Sequence, residues 1–268
     1  MSSITITLVQ TQLFWEQKEA NLRLLEEKIN QLQQPTHVIV LPEMFNTGFS
    51  MRPQLLAEEM NGSTVEWMKR IAAEKRVILT GSLMVKEPVE APAGSFRYYN
   101  RLVWMLPNGQ CGVYDKRHLF GYAGEDQHFT PGNRRLVASV NGWRFHLQVC
   151  YDLRFPVWAR QQSTAEPEYD VLLYVANWPE RRKQAWRTLL QARAIENQCY
   201  VVGVNRVGAD GNGIDHSGNS MVVDPMGDIL YEKEQEEDLH TITLSKEHLL
   251  EVRSKLPFLK DADDFVIR

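Results

Sequence analysis

The stretch Trp143-Arg144-Phe145-His146-Leu147-Gln148-Val149-Cys150-Tyr151-Asp152-Leu153-Arg154-Phe155-Pro156 decides how the chain is read. Trp143 to Cys150 is apolar enough to form a strand, and Asp152 to Gln162 can follow as a helix with Pro156 in its first turn. A residue between such elements sits at a sharp turn. Its side chain is presented to the mouth of the sheet, and neighbouring backbone N–H groups point the same way. A helix N-terminus at that place favours a thiolate and any oxyanion formed beside it. Cys150 is therefore a candidate nucleophile, with a small buried hydrophobe as the competing reading.

The strand-then-helix pattern recurs on both sides of this stretch. Ile4 to Val9, His37 to Leu41, Arg76 to Val85, Tyr98 to Leu106 and Cys111 to Tyr114 read as strands. Val171 to Val175, Val201 to Val204, Ser220 to Val223, Asp228 to Tyr231 and Thr241 to Leu244 complete the set. Trp15 to Leu32 carries Leu22, Leu25, Ile29 and Leu32 at helical spacing, which predicts an amphipathic helix. Thr64 to Lys75, capped by Ser63 or Thr64, is a second helix. Arg182 to Gln198 is a third, with Trp186, Leu189, Leu190 and Ile195 available for the core. Pro107-Asn108-Gly109 and Pro225-Met226-Gly227 are turns, and Arg117 to Asn133 reads as a long functional loop. Strands outnumber helices and the helices are spread along the chain. The expectation is a layered α/β or α+β architecture, mixed sheets covered by helices, built as one domain over residues 1–268.

Composition narrows the function. The 268 residues carry a net charge of −4, with basic and acidic side chains interspersed, so no basic face for nucleic acid is expected. No apolar stretch approaches the roughly 20 residues of a membrane helix, and the N-terminal segment does not read as a signal peptide. Three widely spaced cysteines, Cys111, Cys150 and Cys199, fit reduced thiols in the cytoplasm, with Cys111 and Cys199 placed in the core. Residues 208–218 lack a phosphate-binding glycine fingerprint, and Asp210, Asn212 and Asp215 lack the closing Glu of a calcium loop. Glu232 to Asp238 reads as a solvated hairpin or loop.

Two further residues stand where Cys150 stands, at the ends of apolar strands. Glu43 follows Val38-Ile39-Val40-Leu41-Pro42, and a partly buried carboxylate there can act as a general base or form a structural ion pair. Lys116 follows Cys111 to Tyr114. Near a thiol it lowers the thiol pKa and steadies developing negative charge; alone it reads as a surface lysine. Three such strand ends suggest one shared rim.

The segments Leu41-Pro42-Glu43, Tyr114-Asp115-Lys116-Arg117-His118-Leu119-Phe120 and Val149-Cys150-Tyr151-Asp152-Leu153-Arg154-Phe155-Pro156 resemble, in order, the three signature blocks of the nitrilase superfamily. Arg97 to Arg101 and Ala176-Asn177-Trp178-Pro179 resemble further blocks, and the nearest subgroup is the omega-amidases of the bacterial YafV type. The resemblance implies a four-layer αββα sandwich, a homodimer, and a Glu43–Lys116–Cys150 triad needing no metal or organic cofactor. It also implies a second glutamate near the lysine, for which Glu125 stands at the matching distance before Pro131-Gly132. The oxyanion would be held by Lys116 and the Tyr151 N–H. The implied substrate is a small 2-oxo acid amide such as 2-oxoglutaramate. Its carboxylate needs a cationic or N–H donor group, for which Arg181 and Arg182 are candidates, with an exposed basic helix start as the competing reading. Phe45, Tyr122 and Trp178 are candidate pocket walls.

Other readings stay beside this one. His118, His128, His146 and His216 raise a Cys–His mechanism, but His146 and Cys150 would lie roughly 13 Å apart along a strand, too far for proton transfer. A nitrilase or carbamoylase would use the same triad with another pocket. A catalytically silent binding protein on the same fold would have no need of all three residues.

Overall fold

Alternation along the strands feeds two separate cores, because successive side chains leave a strand on opposite faces. The computed structural model describes residues 2–90, 94–162 and 166–267. In it β1 (Ser3–Gln10) sends Ile4, Ile6 and Leu8 into one core and Val9 into the other. Likewise β2 (Val38–Val40) divides Val38 and Val40 from Ile39. The remaining strands are β3 (Ile78–Pro88), β4 (Phe96–Met105), β5 (Cys111–Asp115), β6 (Val137–Val140), β7 (Trp143–Val149), β8 (Val171–Ala176), β9 (Tyr200–Asn205), β10 (Gly218–Val223), β11 (Ile229–Glu234) and β12 (Asp238–Ser245). They form two six-stranded sheets, ordered β12-β1-β2-β3-β4-β5 and β11-β10-β9-β8-β7-β6. Each has three parallel strands at its centre, β1-β2-β3 and β7-β8-β9, with antiparallel strands outside.

The sheets face one another, and Trp104 of β4 meets Phe145 of β7 with ring centroids 5.1 Å apart. On the outer side of the first sheet, α1 (Lys18–Asn30) contributes Leu25 and Ile29, and α3 (Ser63–Lys75) contributes Val65, Met68 and Ile71. On the second sheet, α6 (Lys183–Asn197) lies against β9 and β10. A Cβ at Gly203 would come within 2.7 Å of Leu190 and 2.8 Å of Trp186, so only glycine lets α6 approach this closely. The order of layers is helix, sheet, sheet, helix, as expected.

Several details differ from the sequence reading. The single helix expected over 152–162 is a 3-10 turn at Cys150–Arg154 followed by α5 (Pro156–Ala159). Phe155 breaks them apart, because a residue before proline is driven from the helical region, and here it takes ψ 86. The loop 117–133 holds a 3-10 turn and the short α4 (Glu125–His128). Gly62 flanks α3 in place of a Ser63 or Thr64 cap, and the Glu58 carboxylate accepts the Thr64 N–H at 3.2 Å. Cys111 is exposed, since it opens β5 on the sheet edge. Ile195 is 55% exposed on the outer face of α6. The short α2 (Pro53–Leu56), β6 and α7 (Lys246–Lys255) were not read from the sequence; α7 buries only Leu249 and Val252, too few to show a helical stripe.

Candidate active site

The ends of central parallel strands of both sheets, together with the end of the edge strand β5, bring the chemistry together. Glu43 lies just beyond β2, Lys116 directly after β5, Cys150 directly after β7, and Asn177 directly after β8. Glu43, Lys116 and Glu125 have no more than 1% exposure, and Cys150 has 9%. Lys116 Nζ donates to Glu43 Oε1 at 2.9 Å and to Glu125 Oε2 at 2.8 Å. Asn100 Nδ2 donates to Glu43 Oε1 at 2.8 Å and to Glu125 Oε1 at 3.1 Å. The other Glu43 oxygen accepts the Asn177 N–H at 2.8 Å, and Phe120 N donates to Glu125 Oε2 at 2.6 Å. Every carboxylate oxygen of the pair is thus held, which removes rotational freedom from both groups.

These contacts set the protonation states. Burial acts to lower the Lys116 pKa, but the charges of Glu125 and Glu43 outweigh it, and the net displacement is upward: the lysine is a fixed cation. Burial raises Glu125, with repulsion from Glu43 adding to it and Lys116 opposing. Burial also pushes the Cys150 thiol well above its ordinary value, and the charge of Glu43 pushes the same way against the pull of Lys116. The lowered thiol pKa expected from a neighbouring lysine and a helix N-terminus is therefore overturned. The thiol is neutral at rest and has to lose its proton to react.

Cys150 has φ 44, a left-handed conformation that costs a non-glycine residue roughly 1 kcal/mol. Asp152 holds this turn. Its Oδ2 accepts the Val149 N–H at 3.1 Å and the Tyr114 hydroxyl at 2.7 Å, and its Oδ1 accepts the His118 N–H at 2.9 Å. Tyr114 and His118 flank Lys116, so one buried carboxylate ties the cysteine turn to the lysine strand across the two sheets.

Above the thiol opens a cavity of about 230 Å³. Phe49, Met51, Phe120, Tyr122 and Trp178 give it apolar walls, Tyr151 lines it beside Cys150, and its charged lining is Arg154, Arg181 and Arg182 with the single carboxylate Asp210. Among the described residues none of the three arginines is in an ion pair. Instead they lie over aromatic rings: Arg154 over Trp178, Arg181 over Tyr122 and Arg182 over Phe120. Burial and the charges of Arg181 and Arg154 depress the Arg182 pKa, a repulsion that a bound anion relieves.

Most of the residues singled out from sequence meet here: Glu43, Lys116, Glu125 and Cys150 at the foot, Tyr122, Tyr151, Trp178 and Arg181 along the walls. Phe45 does not. It is fully buried between the first sheet and α3, 6.0 Å from Trp67, because the turn after Glu43 directs it into the helix-side core; Phe49 lines the pocket in its stead. Of the four histidines only His216 lines the pocket, and burial lowers it to about 4. His146 is buried beside Arg135, with burial lowering its pKa. Asn100, Asn177 and Arg154 were not singled out as functional. Each lies in a segment that already carried the resemblance, but nothing in a lone strand asparagine signals that it bridges two distant carboxylates. Among the described residues no cluster of His, Cys, Asp and Glu is arranged to hold a metal ion.

The chain is 42% identical over 270 residues, covering both chains fully, to the omega-amidase YafV of Yersinia enterocolitica. It is 31% identical to the 2-oxoglutaramate amidase of Bacillus subtilis, with 96% of each chain covered. A CN-hydrolase superfamily protein of Xanthomonas campestris, whose crystal structure has an arsenic adduct in the active site, superimposes with a TM-score of 0.94 at 39% identity over the whole of both chains. A member of branch 10 of the nitrilase superfamily from Saccharomyces cerevisiae gives 0.82 at 25% identity, covering 96% of this chain and 95% of that one. Residues 5–253 match the carbon–nitrogen hydrolase family, and to that family this chain belongs.

Proposed function

We propose that this chain is an omega-amidase, hydrolysing the terminal amide of a small 2-oxo acid such as 2-oxoglutaramate or 2-oxosuccinamate to the 2-oxo dicarboxylate and ammonia. The observation that carries the reading is the pairing, in one cavity, of a thiol set against Glu43 and Lys116 with three arginines that have no ion-pair partner among the described residues. A terminal amide suits the first and a distal carboxylate suits the second. The high identity to amidases of this class supports it further.

In this mechanism Glu43 takes the Cys150 proton as the sulfur attacks the amide carbon, so thiolate forms only along the reaction path. The oxyanion is held by Lys116 and the Tyr151 N–H. Glu43 returns the proton to the nitrogen, the carbon–nitrogen bond breaks, and ammonia leaves a thioester on Cys150. Water then gives a proton to Glu43 and its hydroxide to the acyl carbon; collapse releases the acid and restores the thiol. Glu125 orients Lys116 from its far side, and Asn100 keeps the two carboxylates in register. Arg154, Arg181 and Arg182 receive the substrate carboxylate.

The same reading includes a homodimer and a cytoplasmic setting. Exposed Ile195, Met226, Ile229 and Leu230 support the first, and three free thiols support the second. Ammonia release from 2-oxoglutaramate, measured beside glutamine, an aliphatic amide, an N-carbamoyl amino acid and a nitrile, tests the substrate. Fast release from the oxo-acid amide alone is expected; preference for another compound would refute the subgroup assignment.

A further inference from the structure

Arg206 has no exposed surface, lies outside the catalytic group, and makes no ion pair with a carboxylate among the described residues. Its Nε donates to Val207 O at 3.2 Å, and its Nη2 donates to Leu13 O at 3.3 Å and to Ala209 O at 3.0 Å. Nη1 is buried and has no acceptor among the described residues. Burial lowers its pKa to about 10, with Asp210 pulling the other way, so the guanidinium stays charged at neutral pH. A buried cation held only by carbonyls is costly, and well-packed apolar side chains often serve stability as well as buried charges do.

Its location gives the charge a use. Arg206 follows Asn205, whose side chain holds Trp178 by accepting its N–H at 2.8 Å. Beyond it runs the segment 207–216, which carries Asp210, Asn212 and His216 into the pocket wall. Gly208 and His216 close that segment with mutual backbone hydrogen bonds of 2.9 and 3.2 Å. On its other side lies the strap of Leu13 to Glu16. The Trp15 ring fills the space where a Gly211 Cβ would fall 2.3 Å away and a Gly48 Cβ 3.2 Å away, and Glu16 N donates to Thr47 O at 2.8 Å. The strap therefore joins the 207–216 wall to the wall that supplies Phe49 and Met51. Arg206 is the group that bonds both strap and wall.

We propose that Arg206 is a specificity-determining positioning residue, seating the 207–216 wall on the Leu13–Glu16 strap and placing a buried, unpaired positive charge behind the wall of a pocket that takes anionic substrates. This rests on the reading of the cavity as a carboxylate-binding site. Two alkylating probes of Cys150, iodoacetate and iodoacetamide, differ in charge and share their chemistry, so their rate ratio reports anion preference without depending on the physiological substrate. In Arg206→Met the iodoacetate rate falls about tenfold while the iodoacetamide rate falls less than about twofold, and KM for 2-oxoglutaramate rises about tenfold. Equal slowing of both probes, or no slowing of either, overturns the proposal. Arg206→Lys keeps the charge but cannot fork between Leu13 and Ala209. It is expected to keep the probe ratio and still raise KM about threefold. A wild-type KM in that variant, or a lost probe ratio, also overturns it. Failure to release ammonia from any oxo-acid amide would instead refute the omega-amidase reading, and the probe ratio would still decide the role of Arg206.

Discussion

Lys116 Nζ stands 2.9 Å from Glu43 Oε1 with both side chains sealed from solvent, although the two residues are 73 positions apart. A buried ion pair of this kind brings little net stability, since desolvating both charges offsets their attraction. Lys116 is also held by Glu125, so the site carries two carboxylates and one ammonium. In the mechanism proposed above this arrangement serves to move one proton.

Cys150→Ala removes the only atom able to form the acyl intermediate, so ammonia release is expected to be abolished. The change deletes a single sulfur at a site 9% exposed, and thermal unfolding should remain cooperative near the wild-type temperature. Ammonia release at the normal rate would sink the thioester mechanism.

Lys116→Ala is predicted to lower kcat by about 10²–10³-fold, the loss of one oxyanion donor, roughly 3–4 kcal/mol. It also leaves Glu43 and Glu125 facing each other without their cation, and urea unfolding should show a loss of about 3–5 kcal/mol. Steady-state kinetics and urea titration on one preparation separate the two effects; a variant with normal kcat would rule out the catalytic role.

Asp152→Asn tests the link between the cysteine turn and the lysine strand. An amide can accept from only one side, so it cannot receive Val149 N and Tyr114 at one atom and His118 N at the other. Cys150 then loses a support for its positive φ, and kcat is expected to fall about tenfold with little change in KM. Wild-type kcat in a folded variant would show that the Asp152 contacts do not position the nucleophile.

Buried histidines predict the acid limb of stability. His216 is lowered to about 4 and His146 also lies well below its ordinary value, both by burial. The unfolded chain binds these protons first, so the stability they contribute is present above about pH 6.5 and is lost as pH falls toward 4. Chemical denaturation between pH 7 and 4 should show this decline, and His216→Gln should flatten it. An unchanged slope in that variant would assign the decline elsewhere.

At the alkaline end the Cys150 thiol acts with the opposite sign. Its pKa is raised in the fold, so the folded state keeps a proton that the unfolded chain releases as pH passes about 9. The wild type should therefore lose more stability than Cys150→Ala between pH 9 and 11, as read by denaturation midpoints. Parallel curves would show that the thiol is not held protonated.

Much of this protein was already written in its local sequence. Apolar runs that stop at Glu43, Lys116 and Cys150 determined that three chemical groups stand at strand ends, because the point where such a run gives way is read within a few residues. The alternation in Ile4 to Val9, the apolar run His37 to Leu41 and the helices spread between such strands determined a layered sheet protein for the same reason. What only the tertiary structure decided depends on contacts between distant segments. Asn100 bridges Glu43 and Glu125 from a third strand, and Asp152 reaches Tyr114 across the two sheets. Phe45 turned into the helix-side core while Phe49 lines the pocket, a choice made by the turn between them and invisible in their shared chemistry. The thiol pKa went up where a lysine neighbour alone would have brought it down, because desolvation and two carboxylates act over distances that no linear spacing records.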